Sequence, residues 1–437
     1  MNILHYSLGF PPYRTGGLTK FCMDLMKEQV REGNQVSLLW PGEIKLFGKH
    51  TKIKKNKSID NIASFEVINP TPISYDEGIV DIQAFKVEGD LQVYERFLEY
   101  LCPKVIHIHT LMGLHKNFLI AAKKLGIKTV FTTHDFFPIC PKVTMFRDGM
   151  ICPDAETCES CPKCNMSALS IKKIQILQSP LYRELKNNPI VMKLRKSHRD
   201  EYLSEEKAIK EIPTRSSNDY SNLREFYKSL LDLVDIVHYN SSVSKQVYEK
   251  YMGKRRCALI PITHGNIQDH RRIKKFSKPL KITYLGPMGG AKGFFYLKDV
   301  LDDLWKENQD FTLNVFFHKE GLPIYMKQHN PYNYSQLESI MNNTDILIAP
   351  SVWNETFGYT VIEALSYGVP VIVSSHVGAK DVIPDGCGII VHDSNELKDA
   401  IKNLTIKKLE EMNFSILKYF QAKTIKFFNR ELFNDLY

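Results

Sequence analysis

Residues 345–373 constrain the fold more than any other segment, because strand and helix signals alternate there around a glycine turn. Residues 345–349 and 369–373 are short apolar runs rich in Ile and Val, and they indicate buried parallel strands. Between them, an apolar helical stretch begins after Gly358. A strand, a loop, a helix and a second strand form one unit of an open α/β sheet, in which ligands bind at the strand ends.

Two carboxylates in this segment, Glu355 and Glu363, lie on either side of the turn formed by Phe357 and Gly358. A helix start presents unpaired backbone N–H groups and the positive end of the helix dipole, which suits a phosphate or diphosphate. Carboxylates accept strong hydrogen bonds from hydroxyl groups such as those of sugars. The pattern therefore predicts a site for a phosphorylated sugar, and the alternative is a structural helix with ordinary surface carboxylates.

Glycine-rich turns occur at two further strand-to-helix junctions. Residues 284–293 read Tyr-Leu-Gly-Pro-Met-Gly-Gly-Ala-Lys-Gly, so that backbone can approach an anion closely while Lys292 supplies a cation. Gly16 and Gly17 lie in the turn of a predicted βαβ unit with strands at 2–7 and 35–40 and a helix at 19–32. For this second turn, a plain tight turn without a ligand is an equal alternative.

The motifs at 284–293 and 345–391 resemble the signature of the large family of retaining glycosyltransferases with the GT-B fold, in which seven residues separate two glutamates. The resemblance implies an α/β chain with two Rossmann-like, doubly wound domains that face a central cleft. It also implies hexosyl transfer with retention from a nucleoside diphosphate sugar to a hydroxyl, with no cofactor required for catalysis. The family's arginine is Pro287 here, so Lys292 or another cation is expected to stabilise the leaving diphosphate.

The resemblance assigns roles to particular residues. Glu355 is expected to bind the donor sugar hydroxyls, and Glu363 the nucleoside ribose. A histidine of the family contacts the donor sugar or lies beside the reaction centre, and we expect His109, with His107 as the alternative, to have this role. The catalytic set is His109, Lys292 and Glu355, and the donor-binding set is Gly16, Gly17, Gly286, Gly293, Glu355, Thr356, Phe357, Gly358, Tyr359 and Glu363. Further residues expected at the cleft are His107, His134 and Asp135.

The alternation of strand and helix signals also predicts the domain organisation. It indicates an N-terminal domain at residues 1–263, a basic linker at 264–280 and a second domain at 281–413. The resemblance implies that the first domain binds the acceptor and that the second binds the nucleotide sugar. Residues 414–437 have helical periodicity, and in the resembled family the last helix crosses back to the N-terminal domain. Residues 136–223 break the alternation and are predicted to be an insertion with a function of its own, although a solvated pair of charged helices is the alternative.

Five of the nine cysteines lie in this insertion, namely Cys140, Cys152, Cys158, Cys161 and Cys164. The last three are each separated by two residues, and with the two upstream thiols they offer four ligands for a tetrahedral ion. We expect a structural zinc ion, with free thiols and an iron–sulfur cluster as the alternatives. Disulfides are not expected, because the chain lacks a secretory signal and is predicted to be cytoplasmic.

The net charge of +9 is compatible with nucleic acid, anionic lipid or phosphorylated ligands. No nucleic-acid-binding motif is present, so nucleic acid is not an expected partner. The segment 170–199 mixes cations with apolar residues, which favours attachment to the inner face of the cell membrane. The alternative is that the apolar residues pack on the domain and the cations are only solvated. The cations are Lys172, Lys173, Arg183, Lys186, Lys193, Arg195, Lys196 and Arg199, and the apolar residues are Ile174, Ile176, Leu177, Leu181, Val191, Met192 and Leu194.

The expected function is therefore transfer of a sugar to a saccharide acceptor, which we expect to be lipid-linked, in surface polysaccharide biosynthesis. One alternative is a GT-B epimerase or phosphorylase that acts on related sugars. The other is a scaffold that binds sugar nucleotides without turnover, which would follow if the loss of the family arginine at Pro287 abolished catalysis.

Overall fold

The computed structural model describes residues 1–153, 156–193 and 215–437, and it has the predicted α/β class. The chain divides into two compact units. The first contains residues 1–144, 153–237 and Tyr437, and the second contains residues 145–152 and 238–436. The predicted N-terminal domain, residues 1–263, extends further along the chain than the first unit does.

The strands agree with most of the runs predicted from the sequence. They are β1 (Asn2–Tyr6), β2 (Gln35–Pro41), β3 (Lys52–Ile59), β4 (Ile62–Ile68), β5 (Val105–Ile108), β6 (Lys128–Thr132), β7 (Phe146–Arg147), β8 (Met150–Ile151), β9 (Ile236–Tyr239), β10 (Cys257–Leu259), β11 (Leu280–Tyr284), β12 (Phe311–Val315), β13 (Met326–Gln328), β14 (Ile346–Ala349), β15 (Val371–Ser374) and β16 (Gly388–Val391).

The α-helices of the described residues separate most of these strands. They are α1 (Gly17–Arg31), α2 (Leu91–Leu101), α3 (Lys116–Lys124), α4 (Cys161–Cys164), α5 (Ile171–Gln178), α6 (Pro180–Leu185), α7 (Ser217–Leu231), α8 (Ser242–Met252), α9 (Phe294–Glu307), α10 (Leu337–Asn342), α11 (Tyr359–Ser366), α12 (Ser394–Lys402), α13 (Ile406–Tyr419) and α14 (Ile425–Asp435). Short 3₁₀ turns occur at Ile82–Lys86, Tyr334–Gln336 and Gly378–Val382.

The larger sheet has eight strands in the order β10-β9-β6-β5-β1-β2-β4-β3. Strand β1 pairs in parallel with β2 on one side and with β5 on the other, so the strand order reverses between β1 and β5. Strand β3 is antiparallel to β4 and carries exposed lysines, which protect a sheet edge from pairing with other chains. Ligands of doubly wound sheets bind at such a reversal, beside the carboxyl ends of the strands.

The smaller sheet has six parallel strands in the order β13-β12-β11-β14-β15-β16. Its strand order reverses between β11 and β14. Both strands are almost fully buried, because helices cover parallel sheets on both faces. The loops after β11 and β14, residues 285–293 and 350–358, therefore lie where this fold binds ligands, and they are the loops that the sequence singled out.

Basic residues of helix α6 and of the residue that follows it connect the insertion to the rest of the first unit. The guanidinium of Arg183 donates to Glu66 Oε1 at 2.7 Å and lies 4.7 Å from the centre of the Trp40 ring. Lys186 Nζ donates to the Tyr13 carbonyl at 2.8 Å. The insertion is therefore more than a solvated pair of charged helices. Of the cations and apolar residues named for segment 170–199, four lie outside the described residues: Leu194, Arg195, Lys196 and Arg199.

The C-terminal segment forms two helices, α13 and α14, whereas the sequence predicted one helical element at 414–437. Helix α14 starts anew because the Thr424 side chain accepts a hydrogen bond from the Phe427 backbone N–H. The final residue, Tyr437, belongs to the first unit, and its hydroxyl lies 2.6 Å from His107 Nδ1. Among the helices of residues 1–153, 156–193 and 215–437, none is long and apolar enough to cross a membrane.

Arg183→Met should lower the free energy of unfolding by about 2–3 kcal/mol, because it leaves the carboxylate of Glu66 buried without its counter-ion. The side chains of the pair are 15% and 5% exposed. Urea denaturation measures the change. The matched control is Lys27→Met, whose partner Asp60 is 54% exposed; its effect should stay below about 1 kcal/mol. Equal effects would show that Arg183 does not anchor the insertion.

Candidate functional site

The two loops at the strand reversal of the second unit touch each other. Gly293 ends the first loop with φ +75°, and a Cβ at this position would lie 1.9 Å from the Pro350 carbonyl oxygen in the second loop. Only glycine allows this approach and this backbone conformation. The glycine predicted to bind a ligand therefore also brings the two loops together.

Lys292 and Glu355, both predicted as catalytic, form an ion pair across these loops. Lys292 Nζ donates to Glu355 Oε1, and Ser351 Oγ donates to Glu355 Oε2 at 2.7 Å. Lys292 also lies 5.5 Å from the centre of the Trp353 ring. The Lys292 side chain is 33% exposed and that of Glu355 is 14% exposed, so a bound ligand can still reach both groups.

The start of helix α11 is held in a fixed position. Gly358 precedes the helix with φ +100°, and no side chain of the described residues caps it. The preceding loop pairs with a neighbouring strand end, where the Glu355 N–H donates to the His376 carbonyl at 2.9 Å and the Gly378 N–H donates to the Glu355 carbonyl at 3.0 Å. The uncapped N–H groups and the helix dipole can therefore attract an anion at a defined point.

Glu363, predicted to bind a ribose, is buried on helix α11 and pairs with His264. His264 Nε2 lies 2.9 Å from Glu363 Oε1, and His264 Nδ1 accepts from the Asn266 N–H at 3.2 Å. The proton of the imidazole therefore resides on Nε2 and points at the carboxylate. The sequence placed His264 at the start of a basic linker and missed this role, because no local pattern links two residues so far apart.

Two further buried polar groups lie near loops 285–293 and 350–358 and were also missed. The carboxamide of Asn240 and the indole Nε1 of Trp353 have no hydrogen-bond partner among the residues that the structure describes. The residue after Asn240, Ser241, donates through Oγ to the Thr356 carbonyl at 2.5 Å. Unpaired buried polar groups are costly, so such groups beside the uncapped start of helix α11 are consistent with a ligand that completes their hydrogen bonding.

Histidines gather at the strand reversal of the first unit. His5 Nδ1 lies 3.0 Å from His109 Nε2, and His109 Nδ1 lies 3.3 Å from His134 Nε2. The other nitrogen of His5, Nε2, lies 2.7 Å from Gln29 Oε1. This row, from Gln29 to His134, unites the predicted residues His109 and His134 with His5, which the sequence did not single out.

The row fixes one tautomer for each ring. Gln29 donates through Nε2 to the Tyr437 hydroxyl at 3.2 Å, so its Oε1 accepts from His5 Nε2–H. His5 Nδ1 then accepts from His109 Nε2–H, and His109 Nδ1 accepts from His134 Nε2–H. Burial favours this neutral arrangement, because it lowers the pKa of His5 from 6.5 to about 4.

His107 lies beside the row, and its ring stacks on that of His109 with centroids 4.2 Å apart. His107 Nε2 lies 2.6 Å from Thr132 Oγ1 and its Nδ1 contacts Tyr437. Nitrogens of His5, His107 and His109 lie within 4.8 Å of one another, a spacing that could hold a metal ion. The hydrogen bonds above already account for these nitrogens, so the cluster is explained without a metal.

The remaining predicted residues of the first unit surround this row. Gly16 precedes α1 with φ +122°, Gly17 begins the helix, and no side chain of the described residues caps it. Phe21 of the same helix packs on His134 with ring centroids 4.9 Å apart. Burial raises the pKa of Asp135 to about 6, although a hydrogen bond from the Phe137 N–H opposes the change.

A cavity of about 1020 Å³ in the first unit was not predicted. It lies between the loop after β1 and the insertion helices α5 and α6. Its walls are mainly aromatic and aliphatic, with a few cations. They include Phe10, Tyr13, Arg14, Trp40, Tyr75, Lys173, Ile176, Tyr182 and Met192. No sequence signal could have found it, because its walls come from distant segments.

Two doubly wound α/β sheets, each with glycine-rich or acidic loops at its strand reversal, define the GT-B class of glycosyltransferases. Residues 266–416 match the family model of glycosyl transferases group 1, and residues 15–150 match that of glycosyltransferase family 4. The two matches together cover well over half of the chain. The chain belongs to the group 1 glycosyltransferases, and the predicted GT-B fold is confirmed. Retention at the anomeric carbon stays a prediction.

Individual relatives are more distant. D-inositol 3-phosphate glycosyltransferase of Paenarthrobacter aurescens is 30% identical over 128 residues, which are 29% of this chain and only 27% of that protein. HepE of Anabaena, solved in complex with UDP, is 13% identical with a TM-score of 0.56, and the match covers 100% of both chains. An α,α-trehalose-phosphate synthase (UDP-forming) of Burkholderia xenovorans is 12% identical with a TM-score of 0.54, again over 100% of both chains.

The buried His5 should make the stability of the protein depend on pH. Its pKa is lowered by burial, so the unfolded chain binds the proton more tightly, and stability is lost as the pH falls from 6.5 towards 4. His5→Asn removes this contribution of His5 to the pH dependence of stability. The difference in unfolding free energy between wild type and variant should therefore narrow by about 2 kcal/mol between pH 7.5 and pH 5.

Urea denaturation at the two pH values measures this change. The matched control is His318→Asn, because His318 lies on the surface. Its difference from wild type should be the same at both pH values. A constant difference for His5→Asn as well would contradict the neutral histidine row.

Proposed function

We propose that this protein transfers a sugar, with retention at the anomeric carbon, from a nucleoside diphosphate sugar to a hydroxyl of a lipid-linked saccharide. The reaction would take place on a membrane surface, as a step in surface polysaccharide biosynthesis. The single observation that carries the donor assignment is the meeting of Lys292, Glu355 and the uncapped start of helix α11 at one strand reversal.

The chemistry of the donor loops supports sugar transfer from a diphosphate. Charge that develops on the leaving diphosphate is stabilised by Lys292 and by backbone N–H groups at the start of α11, and no metal has to be invoked. Glu355 accepts bonds from the sugar hydroxyls, and Trp353 Nε1 supplies a buried donor that lacks a protein partner among the described residues. Glu363, oriented by His264, accepts from the ribose.

The cavity of the first unit supports a large amphipathic acceptor. Its aromatic rings, such as Trp40 and Tyr75, offer flat apolar faces for sugar rings and for the adjoining isoprenoid or acyl carbons. Arg14 and Lys173 line the same cavity and can bind the phosphate that joins a saccharide to its lipid. A saccharide linked to lipid through phosphate uses both kinds of wall.

The outer side of this cavity supports membrane attachment. Apolar residues of the insertion that do not line the cavity are exposed: Leu181, Leu185 and Ile190. The neighbouring loop adds Phe47, which is 89% exposed, and Gln175 of α5 donates to the Lys45 carbonyl of that loop at 3.5 Å. Exposed lysines of both elements, Lys45, Lys49, Lys172 and Lys173, suit anionic headgroups.

Measurements of kcat and of the donor KM should distinguish the roles of Glu355 and Glu363. Release of nucleoside diphosphate is measured with a panel of UDP-, GDP- and ADP-sugars and a lipid-linked acceptor. Glu355→Gln should lower kcat by about a hundredfold or more, because an acceptor-only group near the reacting sugar is lost. Glu363→Gln should mainly raise the donor KM, and it should leave folding intact, because a glutamine oxygen still accepts from His264.

The melting temperature of each variant serves as the control for folding. Wild-type rates in both variants would contradict the donor site. Donor binding by the wild type, seen as a thermal shift, without any release of nucleoside diphosphate would contradict transfer and favour a binding scaffold.

Membrane binding is checked by co-sedimentation with vesicles. Wild-type protein should pellet with anionic vesicles at low salt and be released by added salt, since exposed charges are screened within about 10 Å at 0.1 M ionic strength. Phe47→Asp and Leu181→Asp should each weaken the binding, because they introduce charge at the apolar contact.

The matched control is Ile324→Asp, which changes an equally exposed isoleucine of the second unit and should sediment like wild type. If wild-type protein remains in the supernatant with anionic vesicles at low salt, the membrane proposal fails and a soluble acceptor becomes the better candidate.

A further inference from the structure

The cysteine-bearing part of the insertion has little apolar core of its own. Within residues 142–153 and 156–170, the buried residues are Met145, Cys158 and Asn165. Its regular structure is limited to the two-residue strands β7 and β8 and the four-residue helix α4. A segment that buries so few apolar side chains usually needs a cross-link or a bound metal to keep one conformation.

Thiols from separate parts of this segment come together. The side chains of Cys158 and Cys161 are hydrogen-bonded to each other, and Cys140, from an earlier loop, is close enough to interact electrostatically with Cys161. Cys161 and Cys164 lie three residues apart on helix α4, a spacing that places side chains on one face. All five cysteines of the insertion are thiols, not disulfides.

The backbone around these thiols is shaped to present them. Cys158 is fully buried and adopts φ +61°, a left-handed conformation that a non-glycine residue rarely takes without a compensating interaction. The Cys161 N–H donates to the Cys158 carbonyl at 3.0 Å, which closes the turn between the two thiols. The left-handed backbone of Cys158 and the helical backbone of Cys161 are compatible with two sulfurs that face the same point.

We propose that Cys140, Cys158, Cys161 and Cys164, all in the first unit, bind one structural zinc ion. Thiolates in a tetrahedral set are the preferred ligands of zinc, and a site closed by four protein ligands stabilises structure without taking part in chemistry. On binding, each of the four thiols gives up its proton to solvent, and no oxidation or reduction occurs.

The zinc would hold more than its own segment. Asn165, just after helix α4, donates to the Cys161 carbonyl at 2.9 Å and accepts from the Ile79 N–H at 2.9 Å. Ser74 Oγ donates to the Pro141 carbonyl, next to Cys140, at 2.5 Å. Ser74 to Glu77 line the cavity of the first unit. The metal would therefore hold segment 74–79, part of which lines that cavity, through the hydrogen bonds at Ser74 and Ile79.

Elemental analysis of full-length protein, purified without added metal or chelator, tests the proposal directly. We expect about one zinc per chain and little iron. Stepwise blocking of the thiols with a mercurial, followed with a zinc-sensitive dye, should release the zinc as four thiols react. Hydrogen exchange at the Ile79 amide should speed up after zinc removal and slow again when zinc is restored.

Single variants identify the ligands. Cys140→Ser, Cys158→Ser, Cys161→Ser and Cys164→Ser should each lose most of the bound zinc. Cys102→Ser, at an exposed cysteine outside the insertion, is the control and should keep the metal. Wild-type protein without zinc, with all five thiols reacting at once, would overturn the proposal, and so would iron in place of zinc.

Discussion

The close approach of two loops in the second unit is the contact on which the candidate donor site depends. Gly293 has no side chain, so the backbone of the glycine-rich loop can lie against the Pro350 carbonyl. This contact brings Lys292 within hydrogen-bonding distance of Glu355, and backbone pairing then holds the loop that leads to helix α11. A cation, a carboxylate and a helix start thereby share one place, and each of them alone would be an ordinary surface feature.

The first unit places its histidines by a different means. Parallel strands β1 and β5 put His5 beside His107 in register, and the chain beyond β5 brings His109 into the same layer. Burial keeps His5 neutral by lowering its pKa, and the Gln29 amide sets the direction of the hydrogen bonds in the row. Each neutral ring can donate through only one nitrogen. The tautomer of His134 at one end of the row therefore depends on Gln29 at the other end.

The insertion combines anchoring with exposure. Arg183 and Lys186 form hydrogen bonds with the rest of the first unit, whereas neighbouring apolar residues such as Leu181 and Ile190 remain exposed. The inner side of these helices is therefore anchored by polar contacts, and their outer side exposes apolar side chains to solvent. The same helices form one wall of the cavity, so attachment and acceptor binding would involve one structural element.

The sequence by itself determined the alternation of strands and helices, the glycine-rich and acidic loops, and the cysteine cluster. These features are local, because hydrophobic periodicity and turn-forming residues act over a few positions. Only the tertiary structure decided the pairs Lys292–Glu355, His264–Glu363, His5–His109 and Arg183–Glu66, which are separated by 63, 99, 104 and 117 residues. Such partners are chosen by which strands become neighbours in a sheet and by which loops meet at its edge, and no local pattern of residues carries that information.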